Sequence, residues 1–192
     1  LDSHIKVMNA NAEPAMNMST IYLDEVKEGV YSDSNLADAV RNMSLIAEQP
    51  VILKTDNDFK GVLFKGVDEN FDWRFLENSL VDGRLPNHID NCEIIVSKNI
   101  ASALDVNVGD RIFTHFVSDK IKTRKNTIVG IYNTDFDEHD SNYIIGDLSF
   151  LQNLNRWENT QGGYVGINLK NVSEISDVSY DLFSLLAKKG YL

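Results

Sequence analysis

Alternating apolar and polar residues predict most of the regular structure in this chain as β-strands. Each strand-like run is short, and breakers such as Gly, Pro, Asn and Asp separate it from the next run. The predicted strands cover residues 5–8, 51–53, 61–65, 93–96, 111–117, 126–132, 142–145 and 164–169. The strands at 111–117 and 126–132 are expected to pair as a hairpin through residues 118–125.

Apolar residues at helical spacing predict two longer helices. The first begins with Ser34 as its N-cap and ends before Pro50, and the second begins with Ser173 and ends before Gly190. Their apolar positions are Leu36, Val40, Met43, Ile46 and Ala47 in the first helix and Ile175, Val178, Leu182, Leu185 and Leu186 in the second.

The order of these elements predicts an α+β fold. Each long helix follows a strand, so two strand–helix units from opposite ends of the chain are expected to pack as one lobe around an inserted middle lobe. Tyr191 and Leu192 form only the beginning of a closing strand for the second unit. Shorter helices are predicted after Ser97 and Asp147, and residues 9–33 have no sustained period and predict a polar connection.

Composition restricts the class of protein. The 192 residues are 43% hydrophobic and 9% aromatic, which is ordinary for a globular chain with a buried core. The net charge of -11 argues against binding to nucleic acid, which needs basic patches. Cys92 is the single cysteine, so an intramolecular disulfide and a paired-thiol zinc site are both excluded. No run approaches the about 18 apolar residues of a membrane span, and none has the pattern of a signal peptide.

An ordered series of short motifs runs through the middle of the chain. It consists of Lys65-Gly66-Val67-Asp68, Leu80-Val81-Asp82-Gly83-Arg84, Glu93-Ile94-Ile95-Val96-Ser97 followed by Ala101 and Leu104, Val106-Asn107-Val108-Gly109-Asp110, Val129-Gly130-Ile131-Tyr132 and the run from Glu138 to Ile145. This series resembles the periplasmic core domain of MacB-like ABC transporter permeases, which include the lipoprotein-releasing permeases LolC and LolE and FtsX-like proteins. The resemblance covers residues 60–190 by motif and residues 1–55 by pattern.

The resemblance implies a two-lobed α+β fold. Residues 1–67 and 164–192 would form a porter-like lobe of βαβ units, and residues 68–163 would form an inserted mixed, β-rich lobe. It also implies transmembrane helices directly before Leu1 and after Leu192. The domain would then lie on the periplasmic side of the bacterial inner membrane.

The function that the resemblance implies is mechanical and not enzymatic, with no cofactor and no catalytic residue. The domain is expected to couple ATP-driven motion of membrane helices to export or release of a hydrophobic substrate or lipoprotein. Its expected partners are a cytoplasmic ATPase subunit through the membrane part, a second permease copy or paralogue, and a periplasmic protein or lipoprotein. One alternative is an FtsX-like regulatory domain that binds and activates a periplasmic cell-wall hydrolase. A free-standing enzyme with a carboxylate site is another alternative, although no motif indicates one.

Four basic residues in the predicted hairpin connection are candidates for partner contact. They are Lys120, Lys122, Arg124 and Lys125. Lysines on a hairpin also protect its edges from pairing with other strands, and this is the simpler interpretation. The functional alternative is a contact with an acidic partner or with lipid headgroups. The connection is short and lacks proline, unlike the elongated hairpin that recruits a carrier protein in lipoprotein-releasing permeases.

Two other groups of residues are weaker candidates. The first is the acidic segment of Asp135, Asp137, Glu138, His139 and Asp140. Alternating carboxylates suit a hard cation, but the Gly and the closing Glu of a Ca²⁺ loop are missing, so a solvated acidic turn without metal is predicted. The four histidines are dispersed and no nucleophile elbow or P-loop is present, so no catalytic or nucleotide site is predicted.

The second group is the alternating aromatic series Phe71, Trp73 and Phe75. Core packing or contact between the lobes is the prediction. An apolar surface for acyl chains or for an opposing protomer is the alternative.

Overall fold

The computed structural model describes residues 3–11, 19–87, 92–116 and 121–192, except the side chains of residues 137–139. The strands are β1 (Ile5–Met8), β2 (Ile21–Tyr22), β3 (Val40–Lys54), β4 (Phe59–Val67), β5 (Leu80–Gly83), β6 (Glu93–Ser97), β7 (Arg111–Phe116), β8 (Lys122–Tyr132), β9 (Tyr143–Asp147), β10 (Gln161–Gly162) and β11 (Tyr164–Leu169). The helices are α1 (Leu23–Ser32), α2 (Ser34–Ala39), α3 (Arg74–Asn78), α4 (Lys98–Leu104), α5 (Asp137–Asn142), α6 (Leu148–Asn155) and α7 (Ile175–Leu186). Unit 1 is formed by residues 1–47, 68–71 and 152–192, and unit 2 by residues 48–67 and 72–151.

The sheet of unit 1 interleaves the two ends of the chain. β1 and the first half of β3 lie on either side of β11, and both are antiparallel to it. Residues 190–192 extend the sheet past β1, where the Met8 and Leu192 backbones exchange two hydrogen bonds of 2.8 Å each. The strand order is 190–192, β1, β11, β3. One βαβ unit contains β1 and β3, and β11 lies between them. The other unit contains β11 and residues 190–192, and β1 lies between them. The closing strand that begins at Tyr191 is therefore paired.

The helices α1, α2 and α7 pack through apolar faces in unit 1. Val26 and Val30 of α1 are fully buried, Leu36 of α2 is 2% exposed, and Leu182 and Leu186 of α7 are equally buried. Burying each such side chain stabilises the fold by about 1.5–3 kcal/mol. Within the described part of the chain, no helix is both long and apolar enough to cross a membrane.

The predicted helix over residues 34–47 is wrong. α2 ends at Ala39, and β3 then runs from Val40 through Pro50 to Lys54. Residues 43–47 are all buried, as in a strand that is covered on both faces. Such a strand is apolar at consecutive positions, and a continuous apolar run also satisfies helical spacing. Hydrogen bonding to β11 decides for the strand, and this pairing is not visible in the local pattern.

The helix α1 lies where the sequence predicted a polar connection. Leu23, Val26 and Val30 form its buried face at intervals of three and four residues. Asp24 and Glu25 occupy its first turn, where carboxylates stabilise the helix through its dipole. These charges make the segment polar on average, which hides the apolar face.

Two of the predicted helix caps also differ from the structure. Asp33, and not Ser34, caps α2, because its Oδ1 accepts hydrogen bonds from the Asn35 N–H at 2.8 Å and the Leu36 N–H at 3.2 Å. Asn171, and not Ser173, caps the 3-10 turn that precedes α7. Each true cap lies one or two residues earlier than the predicted serine.

Six strands of unit 2 close into a ring. Their hydrogen-bonded order is β3, β4, β9, β6, β8, β7, and β7 returns to β3. The β4–β9 and β6–β8 pairs are parallel, and the β9–β6, β8–β7 and β7–β3 pairs are antiparallel. β5 adds to β8 as a further antiparallel strand. Ring closure gives β7 a hydrogen-bonded neighbour on each side, so its edges are not open to other chains.

Three aromatic rings form the centre of the unit 2 core. Phe150 of α6 lies 5.3 Å from Phe64 and 5.5 Å from Phe116 between ring centroids, and Phe64 and Phe116 are 5.8 Å apart. Tilted and offset rings at these separations attract each other in addition to burying apolar area. α6 therefore belongs to the core through its phenylalanine.

Most of the elements predicted in the middle of the chain are confirmed. β6, the β7–β8 hairpin and β9 lie where apolar alternation predicts them. Ser97 Oγ accepts a hydrogen bond from the Ile100 N–H at 3.1 Å, and Asp147 Oδ1 accepts one from the Ser149 N–H at 2.7 Å, so both predicted caps are present. Local signals were sufficient here because each element is short and has a breaker at its end.

The two units differ in extent from the two predicted lobes. The predicted porter-like lobe includes residues 48–67, whereas these residues make their contacts in unit 2 because β4 and the second half of β3 join the ring. The predicted inserted lobe includes residues 152–163, which belong to unit 1. The mixture of helices and strands agrees with the predicted α+β class. The division into lobes of residues 1–67 with 164–192 and of residues 68–163 stays a prediction.

Candidate interaction surfaces

The motifs that carry the family resemblance meet in unit 2. Gly83 at the end of β5 lies opposite Gly130 in β8. A Cβ atom on either glycine would overlap a backbone oxygen, that of Val129 for Gly83 and that of Arg84 for Gly130. Gly83 also has φ of +75°, in the left-handed region that favours glycine. The close approach of β5 to β8 therefore requires both glycines.

The Glu93 carboxylate of β6 binds the segment that follows β5. Arg84 contacts Glu93 with both terminal nitrogens, and the Nη1–Oε2 distance is 2.8 Å. The Asn87 N–H donates to the same carboxylate at 3.0 Å. The hydrogen bond from Arg84 lowers the pKa of Glu93, although burial acts in the opposite direction. Arg84 and Glu93 thus hold residues 84–87 in place, and their role is structural.

The acidic segment contains one carboxylate that is fully buried. Asp140 is 1% exposed and accepts hydrogen bonds from the Thr134 N–H at 2.8 Å and the Thr134 hydroxyl at 2.6 Å. Burial, and next the nearby Asp140 charge, raise the pKa of Tyr132. The prediction of a solvated turn is therefore wrong for Asp140. Among the described residues, no group of three His, Cys, Asp or Glu side chains is arranged to hold a metal.

Each of the two described histidines makes a contact within its own unit. His4 Nδ1 accepts a hydrogen bond from the Leu169 N–H at 3.0 Å in unit 1. His115 Nδ1 lies 2.8 Å from Thr123 Oγ1 in unit 2. His88 and the side chain of His139 lie outside the described residues. Neither described imidazole lies beside a nucleophile and a carboxylate in the arrangement of a catalytic triad.

Three of the four predicted basic residues lie in a strand. Lys122, Arg124 and Lys125 belong to β8 and pair with β7, whereas Lys120 lies outside the described residues. Alternation along the strand directs Lys122 and Arg124 to one side of the hairpin and Lys125 to the other. The three described candidates therefore do not form one continuous surface along this strand.

The aromatic series is divided between core and surface. Phe71 is 9% exposed and belongs to the core of unit 1. Phe75 lies in α3 of unit 2 and is exposed, and Trp73 is the N-cap residue of the same helix. Core packing is thus confirmed for Phe71, and Phe75 faces solvent.

The structure also reveals a row of outward side chains that the sequence did not single out. Lys54 of β3 lies directly opposite Phe113 of β7, and Phe113 lies directly opposite Lys125 of β8. In the neighbouring row, Ile52 lies opposite His115. We refer to these five residues as the β3–β7–β8 outer face. Alternation indicates that each of them points outward, but only the register places them side by side.

An open apolar groove of about 400 Å³ lies in unit 1 between β1, α7 and the last two residues of the chain. Tyr180, Phe183 and Leu192 line it and are more than half exposed. Apolar surface of this kind is typical of interaction sites and is not required by the fold.

Comparisons with known proteins identify the fold. No protein-family model and no curated protein matches the chain. Its structure is similar to the extracellular domain of the noncanonic ABC-type transporter YknZ from Gram-positive bacteria, with a TM-score of 0.67 and 11% identity over 97% of both chains. It is also similar to the periplasmic region of MacB from Actinobacillus actinomycetemcomitans, with a TM-score of 0.62 and 15% identity over 97% of this chain and 86% of the other. The resemblance drawn from the sequence is confirmed at the level of fold, and the chain has the architecture of the extracytoplasmic domains of ABC transporter permeases.

Proposed function

We propose that the chain is the extracytoplasmic domain of an ABC transporter permease of the MacB/lipoprotein-releasing type. The observation that carries this proposal is a shared fold over 97% of the chain with domains of YknZ and MacB that lie outside the cytoplasm. In this role the domain lies on the outer side of the bacterial inner membrane and catalyses no reaction. The structural role of Gly83, Gly130, Arg84 and Glu93 supports a non-enzymatic function, because the family motifs are accounted for by packing.

The domain would couple ATP-driven motion of membrane helices to export or release of a hydrophobic substrate or lipoprotein. Its partners would be a cytoplasmic ATPase subunit, acting through the membrane part, and a second permease copy or paralogue. The sheet of unit 1 supports this coupling, because the Met8–Leu192 hydrogen bonds join the two ends of the chain directly. Membrane helices that precede and follow these segments would then move the same sheet, that of unit 1.

The basic residues of the β7–β8 hairpin would contact a periplasmic protein or lipoprotein. Lys122, Arg124 and Lys125, together with Lys120, supply positive charge in a chain whose net charge is -11. Opposite charge steers the encounter between proteins and selects among partners. Arg124 and Lys125 are exposed, which supports their availability for such a contact.

The test of this proposal uses the intact protein in the membranes of its own cells. A Lys170→Cys substitution in a Cys92→Ser background places a thiol at an exposed position of unit 1. A membrane-impermeant maleimide is expected to label this cysteine in unbroken cells, and the Cys92→Ser protein is the matched control. Deletion of the gene is expected to abolish release or export of a hydrophobic cargo while cell separation remains normal.

Each contrary result identifies a different error. Labelling only after cell lysis would overturn the extracytoplasmic assignment. Normal export together with chains of unseparated cells would replace the transporter by the FtsX-like regulator of a cell-wall hydrolase.

A further inference from the structure

We propose that the β3–β7–β8 outer face is a docking surface for an acidic polypeptide segment of a partner protein. This inference rests on the proposed function for the existence of an extracytoplasmic partner, and it specifies where and by which chemistry the partner binds. Ile52, Lys54, Phe113, His115 and Lys125 form the surface, and all five lie within unit 2.

The five side chains share one side of the sheet. Residues directly opposite each other on neighbouring strands point the same way, and residues between them point the other way. The intervening positions Leu53, Ile112 and Thr114 are at most 1% exposed and therefore face the core. Ile52 and Phe113 are 39% and 43% exposed on the opposite side. An apolar pair thus lies at the centre of a solvent-facing surface.

Positive charge surrounds this apolar centre. Lys54 and Lys125 flank Phe113 on its two sides, and Lys125 Nζ lies 5.5 Å from the centroid of the Phe113 ring. Arg111 lies two residues before Phe113, on the same side of β7, and is exposed. Neither β7 nor β8 contains an Asp or Glu, and the carboxylates nearest along the chain are Asp110 before β7, Asp119 between β7 and β8, which lies outside the described residues, and those of the β3–β4 turn.

Protection of a strand edge does not explain the position of Lys54 or the exposure of Phe113. Lysines serve that purpose on strands with an unpaired side, whereas β3 is hydrogen-bonded to β4 and β7, and β7 is hydrogen-bonded to β3 and β8. An apolar centre with a charged rim is instead the usual composition of a protein interface. Carboxylates of a partner would pair with Lys54, Arg111 and Lys125, and an apolar side chain would pack on Phe113.

A lipid surface fits these observations less well than a polypeptide. Recognition of anionic lipids uses clusters of about four to eight basic residues. The outer face has two lysines and the adjacent Arg111, and the chain as a whole is repelled by an anionic membrane because its net charge is -11. A local contact with an acidic segment requires only the charges of this face.

The test measures binding of a defined peptide to the 192-residue chain. The probe is a short fluorescein-labelled peptide of Glu residues interspersed with Phe, and the same peptide with Gln in place of Glu is the charge control. We expect the acidic peptide to bind and to shift the backbone amide resonances of β7 and of residues 52–54 and 123–125. The Lys54→Gln/Lys125→Gln double variant is expected to bind about fourfold more weakly, since each exposed ion pair contributes about twofold in affinity.

A second double variant controls for net charge. Lys98→Gln/Lys188→Gln removes two exposed lysines that belong to other elements, α4 and the 3-10 turn after α7, and its affinity for the peptide is expected to equal that of the unmodified chain. Equal weakening by both double variants, or equal binding of the Gln peptide, would overturn the proposal. So would tighter binding to vesicles of anionic phospholipid than to the peptide. The export and labelling experiments do not depend on this peptide, so failure of the surface and failure of the proposed function are distinguishable.

Discussion

Gly83 and Gly130 face each other across one strand pair, yet different physical constraints retain each glycine. At Gly83 the left-handed φ of +75° disfavours any side chain, and the Val129 oxygen removes the space for one. Gly130 has no such backbone restriction, and crowding alone limits it, by the Arg84 oxygen and by the side chains of Ile95 and Leu80. Two of the motifs that carry the resemblance therefore reflect a close contact between backbones and not a reacting group.

A Gly83→Ala substitution is expected to lower the free energy of unfolding by about 2 kcal/mol or more, because both the left-handed φ and the overlap are penalised. Gly61 in β4 is the matched control, since a Cβ there meets no atom within 4 Å. Gly61→Ala is expected to stabilise the protein by about 0.5 kcal/mol, as alanine loses less entropy than glycine in a strand. Guanidinium chloride unfolding followed by circular dichroism measures both. Equal effects of the two substitutions would contradict the close approach of β5 to β8.

The Arg84–Glu93 pair predicts a specific dependence of stability on pH. Arg84 lowers the pKa of Glu93 in the folded protein. The pair therefore stabilises fully above the unfolded-state pKa, and its contribution is lost as the pH falls through the folded-state pKa. The difference in unfolding free energy between the unmodified protein and Arg84→Met is expected to be large near pH 7 and to shrink near pH 3.

Urea unfolding at the two pH values measures this difference. Arg74→Met is the control, because Arg74 pairs with Asp72 at 2.7 Å on the exposed surface, where ion pairs contribute little. Its effect is expected to be small at both pH values. A difference for Arg84→Met that persists unchanged at acid pH would show that packing of the arginine, and not its charge, matters.

At the scale of single elements, β3 shows how partners override a local pattern. Its first half pairs with β11 in unit 1, and its second half pairs with β7 in unit 2. Pro50 lies between these halves at an exposed position, where a missing N–H does not remove a buried hydrogen bond. The proline that predicts the end of a helix thus lies within a strand.

The N-cap of α2 gives a prediction at the scale of single elements. Asp33→Ala removes the side chain that accepts from the Asn35 and Leu36 N–H groups, and it is expected to cost about 1 kcal/mol of stability. Ser34→Ala, at the cap predicted from sequence, is expected to change stability by less than about 0.5 kcal/mol. Thermal unfolding of the two variants decides between the residues. A larger loss for Ser34→Ala would restore the sequence-based assignment.

At the scale of the whole molecule, the middle of the chain forms a ring of strands and the two ends form an interleaved sheet. In unit 2, β6 is fully buried and hydrogen-bonded to β8 and β9, whereas β5 is mostly exposed. Stability is therefore expected to be uneven within this unit, because opening of β6 requires the ring to separate and opening of β5 does not.

Amide hydrogen exchange tests this expectation across all described strands. The amides of residues 94–96 are expected to exchange at least about a hundredfold more slowly than those of residues 81–82. Comparable exchange in the two strands would mean that the ring opens as readily as the added strand. The amides of β11, which is buried and paired on both sides in unit 1, serve as a second protected reference.

The sequence by itself determined the elements whose signals are local and the fold family that their order indicates. Short strands between breakers, the caps Ser97 and Asp147, and the spacing of Gly83, Arg84 and Gly130 are all readable without coordinates. Tertiary structure decided what depends on distant partners: the strand at 40–54 and the burial of Asp140. It also brought Lys54, Phe113 and Lys125 into one row. The physical reason is that register and burial arise from pairing between remote segments, and a local pattern contains no information about which segments pair.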